Sequence, residues 1–179
     1  MSFLSAGIIT CMTTLKELTQ ENHRRAERHA FVSSMVKNQL TPAQWADYLA
    51  WKRNLLVALG AKLGLSEQHP GFDRTAQFNE DIEKTGVQPR TLASTSNYID
   101  HVLSISDREA WAHVYVHYLG DLRGGQMLKK IVKMPMHHVD YDDAAGLEAI
   151  IRANVSDDLA DEANKGFELT MQAMEEIMI

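Results

Sequence analysis

The chain has 179 residues, 45% of them hydrophobic and 23% charged, with a formal net charge of −6 and a single cysteine. That size suits one domain around one core, and the acidic balance argues against nucleic acid or an anionic membrane as a partner. A lone Cys11 excludes an internal disulfide and fits a cytoplasmic setting. Without a CxxCH or paired CxxC there is no thioether-attached prosthetic group and no cysteine-held zinc, and no apolar run reaches the ~18 residues of a membrane anchor.

In chain order, residues 1–12 read as an N-terminal arm, a docking segment, a disordered tail or an artefact of start-site choice before Met12, ahead of a domain over 13–179. The arm's "FLSAGII" is too short, and has no basic residue before it, to serve as a signal peptide. A first helix starts at the capping box Thr14-x-x-Glu17 and carries "ENHRRAERHAF". Around His23 on its wheel lie Thr19, Ala26 and Ala30, all small, and His29 reads as surface. Thr41-x-x-Gln44, with Pro42 at the first helical position, opens a helix over 42–63 that buries Trp45, Leu49, Leu56, Leu59 and Leu63 and closes at Gly64. Signals are thin between 65 and 100. Ser106-x-x-Glu109 starts a long helix, and a last one is predicted over 157–178. No segment alternates in the manner of a strand, so the fold class is all-α, a single-domain multi-helix bundle.

The long helix poses the functional question. Trp111, Val114, Tyr115, Tyr118, Leu119 and Leu122 form an amphipathic stripe, yet Gly120, Gly124 and Gly125 interrupt the same helix beside Asp121. Each helical glycine costs up to ~1 kcal/mol against alanine. On the wheel Gly120 and Gly124 fall together, roughly opposite Trp111, on the side that also carries His113 and His117. The glycines admit two readings: close helix–helix packing, or a face cleared for a flat ligand, with a kink where glycines pair.

The stretch "YLGDLRGGQMLKKI" resembles the distal-helix signature of the haem oxygenase family, Tyr-Leu-Gly-Asp-Leu-Ser-Gly-Gly-Gln followed by a Lys-Lys pair, with Arg123 in place of the serine. His23-x-x-Ala26-Glu27 resembles the family's proximal-ligand motif. The resemblance spans about residues 13–178. It implies a haem-oxygenase-like fold with haem sandwiched between a proximal and a kinked distal helix. His23 would be the iron ligand, with Ala26 and Glu27 beside it, and an imidazole is a normal ligand for haem iron. Gly120 and Gly124 would place backbone against the haem, and Gly125 would let the helix bend. Lys16 and Arg152 would reach the propionates, although Gln20 stands where a second lysine is common, and Phe167 would line the pocket wall. Asp121 would organise distal water for proton delivery. Tyr115 keeps its family identity, while His117 and Thr170 replace an arginine and an asparagine; both can still hydrogen-bond.

The activity implied is oxidative cleavage of haem, at once cofactor and substrate, with O2 and external electrons, to biliverdin (the IXα isomer), CO and Fe2+. With no GxGxxG motif for flavin or nicotinamide, a ferredoxin or flavoprotein reductase is the expected electron donor, docking on Arg24, Arg25 and Arg28 if that run is more than a solvated face. The resemblance also implies a bilin reductase as a downstream partner. Two other classes stand against this reading. A haem carrier or sensor without turnover needs His23 but not Asp121. A thiaminase-like or di-iron scaffold needs a clustered Cys or a Glu-x-x-His pair, which the sequence lacks.

Overall fold

The computed structural model describes residues 14–179. The expected arm over 1–12, with Cys11, lies outside the described residues. Nine α-helices and three 3-10 turns, with no strand among the described residues, make the all-α architecture. All three capping boxes form, each N-cap hydroxyl accepting from the third helical N–H while that residue's side chain accepts from the cap's N–H. They start α1 (Leu15–Glu27), α3 (Pro42–Leu63) and α7 (Asp107–Ile131). Gly64 ends α3 in the left-handed region at φ 62°, which favours a residue without Cβ.

Two boundaries differ from the sequence expectation. The first helix stops after Glu27, and His29 caps a separate α2 (Ala30–Val36), its Nδ1 accepting from the Phe31 N–H at 3.1 Å. His29 is therefore mostly buried rather than surface. Residues 157–159 form a 3-10 turn, and α9 (Ala160–Met178) begins after it. The segment with thin signals folds into a short α4 (Leu65–Gln68), α5 (Thr75–Thr85) and α6 (Ala93–Ser104).

One apolar cluster, including Phe31, Trp45, Leu55, Tyr98, Tyr118 and Ile177, runs through the bundle. Helix α3 lies at its centre, packed by α5, α6, α7 and α9. Helix α9 supports both α1 and α7, and α8 (Ala144–Asn154) also packs against α7. A small cluster of Leu15, Ala112, Leu159 and Ala163 joins the N-terminal ends of α1 and α7. The loop after α7 is pinned by buried polar groups: Asp81 accepts from the His137 and His138 backbone N–H groups at 2.9 and 2.8 Å, and Arg74 donates to the His138 carbonyl at 3.1 Å. No helix among the described residues is long and apolar enough to cross a membrane.

Candidate functional site

Leu15, Thr19 and Ala26 form the buried stripe of α1. His23 lies within about 80° of Leu15 on the same stripe at 100° per residue, yet its side chain is 53% exposed. The packed face of α1 thus opens at His23. Its ring meets Phe167 of α9 edge-on at 5.6 Å, and its Nδ1 lies 3.6 Å from Glu27 Oε1. Those contacts restrict how the ring turns and leave Nε2 as the nitrogen away from Glu27. Ala26 is buried and Lys16 exposed.

Helix α7 runs unbroken through its three glycines. A Cβ at Gly120 or Gly124 would have no described atom within 4 Å, so both face open space. Gly125 does the opposite: its Cβ would lie 2.7 Å from the Val139 Cβ, because the 3-10 turn His137–Val139 packs directly on the helix there. The three glycines therefore serve two purposes. Gly124→Ala should stabilise the ligand-free fold by about 0.4–1 kcal/mol, whereas Gly125→Ala should cost about 1–3 kcal/mol through overpacking. Urea unfolding of the two variants checks this, and a loss of stability at Gly124 would mean that its face is covered.

The side of α7 expected to be cleared divides along its length. Its second half is open at Gly120 and Gly124. In its first half, His113 and His117 are buried. The Tyr98 hydroxyl of α6 lies 2.8 Å from His113 Nδ1 and 2.9 Å from His117 Nε2. Thr170 donates to the Gly166 carbonyl at 2.8 Å and stands 3.5 Å from His117 Nε2. The structure so brings His117 and Thr170 together, with Tyr98 between His117 and His113, a residue the sequence reading missed. Burial, reinforced by the positive charge of Lys52, holds the His117 imidazole well below its usual range, so it is neutral at pH 7. Tyr115 is half-buried against both apolar clusters.

Asp121 is buried, and Lys52 of α3, buried too, donates to its Oδ1 in an ion pair. Its other oxygen, Oδ2, is buried with no hydrogen-bond partner among the described residues. Burial alone would lower the Lys52 pKa, but the facing Asp121 carboxylate outweighs it and pushes Lys52 up to about 12. A sequence signal for Lys52 existed. It sits at the missing step of the stripe Trp45, Leu49, Leu56, Leu59, where an apolar residue was due.

Arg152 is engaged on the surface, donating to Glu148 at 2.8 Å beside Arg123, which pairs with the same carboxylate at 2.6 Å. Two clefts of about 210 and 330 Å³, the first bordered by Arg53, Leu56 and Phe78 and the second by His69, Tyr141 and Leu147, contain none of the haem-site residues expected from the sequence. What joins those residues is one turn of α9: Phe167 touches His23 of α1, and Thr170, three residues on, reaches His117 of α7.

Residues 10–150 match the family model described as Heme oxygenase. Mouse heme oxygenase 2 is 28% identical over 208 residues, covering 91% of this chain and 64% of that protein, so the chain spans less than two thirds of that relative's length. Heme oxygenase from Pyropia yezoensis is 26% identical, covering 94% of this chain and 86% of that one. Heme oxygenase-1 from Synechocystis, solved in complex with heme, superposes with a TM-score of 0.75 at 22% identity, covering 90% and 89% of the two chains.

Proposed function

The chain belongs to the haem oxygenase family, and we propose that it binds haem between α1 and α7 and cleaves it oxidatively to biliverdin, CO and Fe2+. The observation that carries this reading is the turn of α9 that links half-exposed His23 of α1 to His117 of α7, one helical turn before the open Gly120–Gly124 face. The residues fit the group. A planar ring needs one face where a helix presents bare backbone, and an orphaned buried acceptor, Asp121 Oδ2, stands on the next residue after Gly120. Haem supplies the iron at which dioxygen is reduced, with electrons from a donor outside the chain, a ferredoxin or a flavoprotein reductase.

His23 Nε2 would hold the iron, with Glu27 Oε1 3.6 Å from the other ring nitrogen and the Phe167 ring meeting the imidazole edge-on. Gly120 and Gly124, both facing open space, would let backbone approach the haem without offering a side chain that competes for iron. Asp121 keeps Oδ1 on Lys52, which leaves Oδ2 to hold water and pass a proton. His117, neutral and held by Tyr98, shapes that pocket without adding charge. Lys16, exposed, and Arg152, after turning from Glu148, would hold the propionates and so favour the IXα product.

Haemin and a reducing system test the activity: the Soret band should give way to biliverdin absorption, and chromatography should show the IXα isomer. His23→Ala should lose the iron–histidine resonance Raman band, and added imidazole should partly restore the spectrum. An unchanged band in the variant would move the ligand elsewhere. The Lys52 pairing favours one rival: if Asp121 is only the counter-ion of Lys52, the chain binds haem without turnover, and the same assay shows an intact Soret band.

A further inference from the structure

We propose that His101, His113 and Glu162 form a divalent-cation site of the zinc type, built by three helices and separate from His23. Nε2 of His101 on α6, Nε2 of His113 on α7 and Oε1 of Glu162 on α9 lie within 4.8 Å of one another. Both rings aim at the same carboxylate oxygen, His113 from 2.7 Å and His101 in closer contact. Two imidazole nitrogens and one carboxylate oxygen are a normal zinc donor set, with the fourth position left to water. Tetrahedral bonds of about 2.0–2.2 Å to such an ion hold its donor atoms about 3.3–3.5 Å apart, so the Glu162–His113 edge must open by roughly 0.6 Å or more and the closer His101–Glu162 edge further. His101 and Glu162 have room for this, being 25% and 18% exposed, and they also give the ion an entry path.

The surroundings of His113 support ligation. It is completely buried, and burial lowers its pKa, so the ring is neutral at pH 7. Its Nδ1 meets the Tyr98 hydroxyl at 2.8 Å, which can accept from Nδ1–H while donating to His117 Nε2. That arrangement places the free lone pair of His113 on Nε2, toward Glu162. A hydrogen bond at the far nitrogen is how metal-bound histidines are generally held. Gly166 makes it possible, since a Cβ there would lie 3.1 Å from both His113 Nδ1 and the Tyr98 hydroxyl. An ion tying α6, α7 and α9 together would stabilise the folded state by binding it alone.

The test uses haem-free, chelator-treated protein, so it is independent of the proposed haem chemistry. Co2+ titration should show one equivalent with the visible bands of four- or five-coordination. Zn2+ should displace it and raise the melting temperature. His101→Ala, which alters a partly exposed side chain, should weaken binding roughly tenfold or more, and Tyr98→Phe, which removes no ligand, by about 10–100-fold. His23→Ala should leave the isotherm unchanged. Equal binding in the parent, His101→Ala and Glu162→Gln proteins would overturn the site, as would an octahedral Co2+ spectrum or no binding.

Discussion

Lys52→Met should destabilise the fold by about 3–5 kcal/mol, because it leaves the Asp121 carboxylate buried without its cation. The loss comes from the stranded charge and not from the worth of the pair, so Lys52→Met/Asp121→Leu should recover most of it. Urea unfolding of the parent, the two single variants and the double closes the cycle. A cost below about 1 kcal/mol for Lys52→Met would show that the pair is solvated and not buried. The pH dependence has a definite sign. Folding raises the Lys52 pKa from about 10.4 to about 12, so its contribution is complete below the unfolded value. It disappears as pH rises through about 12, because the folded state must then give up a proton that it binds more tightly. Stability should therefore fall more steeply above pH ~10.4 in the parent than in the double variant.

Asp121→Asn should reduce haem turnover by about 10²–10⁴-fold, the usual contribution of a positioned proton-transfer group, while leaving the spectrum of bound haem in place. Asparagine keeps the shape and an acceptor for Lys52 but cannot take up and return a proton. Because Lys52 then lacks a counter-ion, Asp121→Asn is also measured in the Lys52→Met background, a double variant that leaves no buried charge of this pair without its partner. Turnover at the parent rate in both backgrounds would make Asp121 a purely structural partner of Lys52. Proton delivery would then shift to His117, held by the Tyr98 hydroxyl, or to Thr170, which donates to the Gly166 carbonyl.

Much of this protein follows from local rules. The three capping boxes, the Pro42 start and the Gly64 stop depend on residues within one turn of each other, and each of them forms as the sequence implies. The stripe on α1 and the glycine spacing on α7 are likewise readable, since helical period alone determines which residues share a side. His29 shows the limit of that logic. Nothing in the periodicity of "ENHRRAERHAF" demands a break, and only the docking of α2 and its own N-cap bond end the first helix there.

Period assigns a residue to a side of a helix but does not say what covers that side. Gly120, Gly124, His113 and His117 share one side of α7, yet α6 and α9 cover the histidines and leave the two glycines open. Gly125 lies in the same short motif but closes on Val139, a neighbour supplied by a loop that Asp81 and Arg74 hold from α5 and the residue before it. The partners of Asp121 and His113 are farther away in sequence: Lys52 lies 69 residues from the first, and Glu162 lies 49 from the second. Such pairs have no local signature, because a charge becomes tolerable in the core only once the opposite charge has been folded against it. The sequence by itself thus determined the starts of α1, α3 and α7 and the two motifs; the tertiary structure decided which glycines face space, which histidines are neutral and which carboxylate oxygen remains free.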